Sequence, residues 1–223
     1  MADYLILRLS GPMQSWGQPT FEGSRPTSTF PTRSGLLGVV GACLGIKRNE
    51  RDKVQALADS VRFAVRCDQV TPEGNPARVI KLTDYHTIKD ARESYFSLKS
   101  HETIQTWREY LCDACFTVAV WLTADARISL GELVDAVQKP RFTPYLGRRS
   151  CPMTRPLFVG TCQSDNPKTA LDQYQPATGV IYSEIEIGSG NGRFRVRDEP
   201  IINLPRQFAS REWFVLKGGD ACS

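Results

Sequence analysis

The feature that most constrains this chain is a glycine-studded helix placed directly after an apolar strand and a basic loop. Tyr4 to Leu9 reads as a short strand, Ser10 to Gly17 as a loop, and Ser34 to Gly45 as a helix (Ser-Gly-Leu-Leu-Gly-Val-Val-Gly-Ala-Cys-Leu-Gly) with Ser34 as its N-cap. Glycine inside a helix costs roughly 1 kcal/mol relative to alanine. Gly38, Gly41 and Gly45 share one face and Leu36, Leu37, Val40 and Leu44 another. Repeated glycine on one face predicts close approach there, either of a partner or RNA or of the chain's own sheet. The sheet is favoured, because such a helix must cover its apolar layer.

The remaining elements follow from periodicity. A second helix is expected over Glu50 to Ser60 behind Asn49, and a half-buried strand over Val61 to Cys67, where apolar and basic residues alternate. Thr71 to Ala77 is turn chemistry. Phe116 to Leu122 is a buried strand, and Ser129 to Gln138 a helix with Glu132 completing a capping box. Between that turn and the strand at Phe116, Arg78 to Tyr110 is polar, aromatic and weakly periodic, and it holds both histidines. Strand, helix, strand, insertion, strand, helix is the β-α-β-β-α-β layout of a ferredoxin-like (RRM-like) fold with an inserted arm. The expected class is therefore α+β. A palm domain spans residues 1–147, with a thumb insertion at about 78–113, and a smaller β-rich C-terminal domain spans 148–223. Strands are expected there over Leu157 to Thr161, Val180 to Ile187, Phe194 to Val196 and Trp213 to Lys217.

Composition enters through its cations. The net charge is only +4, but 20 of the 28 basic residues are arginine, whose planar fork suits phosphates and stacking. The segment Lys139 to Pro156 carries Lys139, Arg141, Arg148, Arg149 and Arg155 with Phe142 and Tyr145 and no carboxylate. Cations neutralise phosphates, while flat rings and guanidinium planes stack on unpaired bases. Between Gly23 and Gly35, Arg25 and Arg33 stand among hydroxyls at Ser24, Thr27, Ser28, Thr32 and Ser34, again without an acid. That segment feeds a helix N-terminus, where free N–H groups attract phosphate. Both segments favour nucleic acid over a merely solvated basic loop.

Other chemistries find little support. Seven cysteines in a chain of this size point to a reducing cytoplasm. No apolar run approaches the ~18 residues of a membrane span, and no signal peptide is expected. Cys112-Asp113-Ala114-Cys115 lacks the second ligand pair of a zinc site and reads as buried thiols. No P-loop, dinucleotide motif or acidic metal cluster occurs, so no cofactor and no metal are expected. His86, beside Tyr85, or His101, near Lys99, could serve a metal-independent ribonuclease. Hydrogen bonding or stacking is the plainer role for both.

Six segments carry a family resemblance: Tyr4 to Gly17, Phe30 to Gly38, Gly41 to Ile46, Lys99 to Leu111, Pro144 to Pro152 and Leu204 to Trp213. In this order they resemble the CasD family of subunits of the type I-E CRISPR effector Cascade, within the RAMP superfamily of repeat-associated RNA-binding proteins. The resemblance implies a non-catalytic RNA-binding subunit of an antiviral complex. It would hold the five-prime repeat-derived handle of the crRNA beside the backbone subunit CasC and the large subunit CasA. Target DNA would be met only through the assembled complex. In a sister lineage the equivalent subunit is an endoribonuclease that processes precursor crRNA, which remains the alternative. Carried onto this sequence, Met13, Gln14 and Trp16 line the handle, Arg25, Arg33 and Ser34 take phosphate, Lys99, His101, Trp107 and Arg108 lie on the thumb, and Tyr145, Arg148 and Arg149 close the other wall.

Overall fold

Alternation along β1 (Ala2–Ser10) decides the layering. Leu5, Leu7 and Leu9 point to one side and Tyr4 and Ile6 to the other, and all five are buried. Successive side chains of a strand face opposite ways, so a strand buried on both needs cover on both. The computed structural model describes residues 1–20, 23–68, 79–89, 103–175, 179–188, 192–204 and 207–216. In it β1 lies inside a seven-stranded sheet. The strands run in the order β10 (Gly192–Pro200), β11 (Phe208–Leu216), β9 (Ile181–Ser183), β4 (Val61–Cys67), β7 (Cys115–Leu122), β1 and β8 (Phe158–Ser164). Every adjacent pair is antiparallel.

Helices cover both faces. On the Leu5–Leu7–Leu9 side, α1 (Arg33–Leu44) and α3 (Leu130–Gln138) bring Leu36, Val40, Leu133 and Val137 against Phe63, Val65, Val118 and Val120. On the other side α4 (Pro167–Asp172) sets Ala170 and Leu171 over Ile6, Ala64, Ala119 and Trp121. The helix α2 (Arg51–Ser60) buries Leu57 and Ala58 and leads directly into β4. The expected division between residues 147 and 148 meets no break in this sheet: β8 pairs with β1, β9 with β4, and Trp213 shares one core with Leu5. Strands β1 and β4 each need a partner on their far side, and the C-terminal third supplies both.

The insertion forms a second sheet. Strands β5 (Ile80–Ile88) and β6 (Ile104–Cys112) pair antiparallel from Ile80↔Cys112 to Ile88↔Ile104. The short strands β2 (Met13–Gln14) and β3 (Ser24–Arg25) dock on the opposite edge of β6, β2 antiparallel and β3 parallel. The expected turn over Thr71 to Ala77, and both Lys99 and His101, lie outside the described residues.

Local signals at the helix ends shift slightly. Thr32, not Ser34, caps α1, its hydroxyl accepting from Gly35 N, and Gly45 closes the helix at φ 76°. At α2 the cap position is Glu50 rather than Asn49. Ser129 and Glu132 form the expected capping box on α3. No described helix is long and apolar enough to cross a membrane.

Candidate nucleic-acid interface

Several residues with the chemistry of RNA contacts turn inward. Arg33 is 3% exposed. Its Nη1 lies 2.7 Å from Glu184 Oε2, its Nε 2.5 Å from Glu199 Oε2, and its Nη2 donates to Ala58 O at 2.6 Å. Its backbone N–H donates to Asp198 Oδ2. Burial and two carboxylates thus turn the Arg33 guanidinium inward and away from the surface, although its Nε makes no well-aligned hydrogen bond among the described residues. Arg66, expected on a half-solvated strand, is likewise buried: it pairs with Asp68 and donates to the carbonyls of Leu171 and Tyr174 at the end of α4.

The loop after β1 is equally closed. Gln14 and Trp16 are fully buried. Trp16 Nε1 donates to Gln14 Oε1 at 3.1 Å, and Gln14 Nε2 donates to Ala114 O at 2.6 Å. The Trp16 ring lies under Gly35, where a Cβ would come within 2.7 Å of it. That close approach explains one helical glycine. Gly38, by contrast, is exposed, and a Cβ there would meet nothing within 4 Å outside its own helix, while one at Gly41 would meet Leu57 at ordinary contact. The expected packing of the sheet against the Gly38 face does not occur. Met13 and Ser34 are half-buried, Met13 against the core and Ser34 Oγ 3.4 Å from Thr32 Oγ1.

What these buried groups position is a cluster of arginines at the root of the arm. Arg25 and Arg108 are cross-strand neighbours on β3 and β6, and Asp84 of β5 stands opposite Arg108. Arg108 Nε donates to Thr106 Oγ1 at 3.0 Å. Arg148 reaches in from the basic loop, its Nη2 donating to Arg25 O at 3.1 Å and its guanidinium lying 4.8 Å from the centroid of Tyr110. Its Nη1 is buried with no hydrogen-bond partner among the described residues. Thr106, Arg108 and Tyr110 share one face of β6 by strand parity. Tyr110 is a member of this site that sequence reasoning missed. The alternation Thr106, Arg108, Tyr110 was the available signal.

On the opposite face of the arm, Trp107 and Tyr85 form an exposed aromatic pair, 49% and 53% exposed with centroids 5.5 Å apart. This parity also separates Tyr85 from His86. The two side chains point to opposite faces, so the proposed acid–base neighbours do not meet. His86 is half-buried, and its carbonyl accepts from Thr106 Oγ1. Beside the pair, Glu109 accepts from Thr27 N and Lys81 Nζ, both at 3.1 Å. The Thr27 N–H, aided by Lys81, holds its carboxyl below the ordinary value.

Beyond Arg148 the basic loop turns away. Tyr145 and Arg149 line an open cleft of ≈ 1100 Å³ with Arg141, Phe142, Arg155 and Met153. The loop is anchored on the end of α1, where Arg141 N donates to Cys43 O and Phe142 N to Ala42 O. Arg148 and Arg149 therefore serve different surfaces. At Cys112 to Cys115 the chain turns tightly from β6 into β7 through Asp113 at φ 49°, and both thiols are half-buried. Burial pushes the Cys115 thiol up, and that of Cys67 to about 12. Among the described residues no group of three His, Cys, Asp or Glu side chains is placed to hold a metal ion.

Fold and site together define a mixed α+β protein, mostly antiparallel, with arginines and flat rings gathered on and beside a second, four-stranded sheet. The chain belongs to the Cas5 family of CRISPR-associated proteins, whose profile matches residues 4–214. It is 64% identical over 219 residues to the CRISPR system Cascade subunit CasD of Escherichia coli (strain K12), covering 98% of each chain. Among solved structures, a chain of a CRISPR RNA-guided surveillance complex superposes with a TM-score of 0.69 at 28% identity, covering 96% of this chain and 90% of that one. A crystal structure of a Cas protein gives 0.61 at 28% identity, covering 96% and 92%.

Proposed function

We propose that this protein is the non-catalytic subunit of a Cascade-type surveillance complex that grips the five-prime handle of the crRNA, next to CasC and CasA. The order β4-β7-β1-β8 with α1 and α3 on one face supports reading this part as a ferredoxin-like palm, and the β5–β6 pair as its thumb. The six described cysteines are free, which fits a reducing cytoplasm. The observation that carries the reading is the convergence of Arg25, Arg108 and Arg148 beside Tyr110, with Arg148 Nη1 buried and without a hydrogen-bond partner among the described residues. Arginine forks beside Tyr110 hold the handle's phosphates, while Trp107 and Tyr85 on the other face of the arm, and Tyr145 in the cleft, are rings that suit splayed bases further along the strand. Arg149 serves the separate cleft with Tyr145, and Lys99 and His101 lie in the sequence between β5 and β6.

The test is a salt series of handle RNA binding with Arg108→Ser/Arg148→Ser. Each phosphate contact on a single strand contributes about 0.7 to the slope of log K against log salt, so the slope is expected to fall by about 1.4. An unchanged slope overturns the assignment of these two arginines. Incubating the protein with labelled repeat RNA in EDTA tests the absence of catalysis. A discrete cut lost in His86→Ala or His101→Ala overturns it.

A further inference from the structure

The edge strand β10 carries a row of charge that the handle site leaves unused. It ends the seven-stranded sheet and, among the described residues, is paired there only with β11. Its inner face is locked: Phe194 packs edge-on against Phe30 and Tyr182, and Val196 packs on the same core. That fixes Arg193, Arg195 and Arg197 on the outer face, and all three are exposed. Opposite them on β11 stand Phe214, Glu212 and Ser210. The helix α4 on this side packs on β1, β4, β7 and β8, well short of the β10 edge.

The arginines are only lightly engaged. Arg195 lies 3.7 Å from Glu212 and is 79% exposed, an ion pair that contributes little in water. Arg197 Nε donates to Phe208 O at 2.7 Å, which ties its guanidinium to the start of β11 and leaves both Nη groups for other acceptors. Arg193 has no ion-pair partner among the described residues. Charge on an edge strand discourages pairing with another sheet, and any charged residue would do that. Three arginines at alternate positions do more. They set bidentate donors about 7 Å apart along a straight line, a spacing comparable to that of consecutive phosphates in an extended single strand. Phe214 beside Arg193 adds a ring face of the kind that accepts an unpaired base.

We propose that Arg193, Arg195 and Arg197 form a second track for single-stranded nucleic acid, each arginine taking one phosphate and Phe214 supporting a flanking base. The track is separate from the Arg25–Arg108–Arg148 cluster and reads no sequence, because guanidinium–phosphate contacts carry none.

The test uses the full chain carrying Arg108→Ser/Arg148→Ser, so that the outcome does not depend on the handle site. Fluorescence anisotropy over a salt series compares this protein with one that also carries Arg193→Gln/Arg195→Gln/Arg197→Gln, using a labelled oligothymidylate and an oligouridylate of equal length. Loss of three phosphate contacts is expected to lower the salt slope by about 2. A drop with both oligomers assigns the track to either nucleic acid, and a drop with one assigns it to that polymer. A second measurement needs no variant. Phenylglyoxal modification of the unaltered protein, read by mass spectrometry, is expected to spare Arg193 and Arg195 when the oligomer is bound. Unchanged slopes together with undiminished modification overturn the proposal. So does a triple variant that binds both oligomers normally yet no longer joins a partner subunit, which would make the row a protein contact.

Discussion

Replacing Arg33 by methionine separates structure from recognition most sharply, because the residue looks like a phosphate ligand and is packed like a keystone. Methionine keeps much of the volume, so the change is chiefly one of charge. It leaves Glu184 and Glu199 without the guanidinium that lies 2.7 Å from one and 2.5 Å from the other, and strands the carbonyl of Ala58. Removing one partner of a buried ion pair costs about 3–5 kcal/mol. Arg211, 3.3 Å from Glu184 and 2.7 Å from Asp198, remains to absorb part of this, so the expected loss sits near the lower end, about 3 kcal/mol. For a chain of this length each kcal/mol moves Tm by about 2–4 °C, giving a fall of about 6–12 °C in a thermal melt. The pH dependence has a definite sign. Burial raises the Glu199 carboxyl above the ordinary 4.5 even with Arg33 and Arg211 opposing it. A folded state that holds its proton more tightly than the unfolded one gains stability as pH falls through the folded pKa. The deficit of Arg33→Met is therefore expected to shrink on acidification. A variant that melts within about 2 °C of the parent while losing handle RNA would refute the buried role and restore Arg33 to the RNA.

Two further perturbations probe the frame around the site. Gly35→Ala is expected to destabilise, since its Cβ would lie 2.7 Å from the fully buried Trp16 ring, whereas Gly38→Ala, in open space, is expected to stabilise by about 0.5–1 kcal/mol. Equal shifts for the two in denaturant melts would contradict the Trp16–Gly35 contact. Glu109→Gln tests the tie between arm and loop. The folded carboxyl titrates below 4.5, so its contribution is present above that value and lost as pH falls through the folded pKa. The variant is expected to show a shallower acid limb in Tm against pH, and superimposable limbs would show that the tie carries no stability.

The order of strands and helices was legible because it rests on local periodicity. The alternation in Val61 to Cys67, the capping box at Ser129 and the apolar run at Phe116 each report a element from a few neighbouring residues. The cluster of Arg25, Arg108 and Arg148 was legible as chemistry but not as geometry, since it requires β3 to lie alongside β6 and the basic loop to fold back over 123 positions. The inward turn of Arg33 was hidden for the same reason. Its neighbours in sequence are hydroxyls, and the acid that claims it lies 151 positions away. A carboxylate-free segment therefore says that no local acid competes for an arginine, and nothing about distant ones. The acids at 184, 198 and 199 reach Arg33 because β9 and β10 join the sheet beyond β4, over the start of α1. Arg33 Nε makes no well-aligned hydrogen bond but has Glu199 2.5 Å away, whereas among the described residues no acid pairs with Arg148, whose Nη1 is a buried donor without an acceptor. Leaving a buried donor unsatisfied costs about 1–3 kcal/mol, a cost that binding a phosphate there would remove. Of the two arginines, Arg148 is thus the one whose burial favours the RNA.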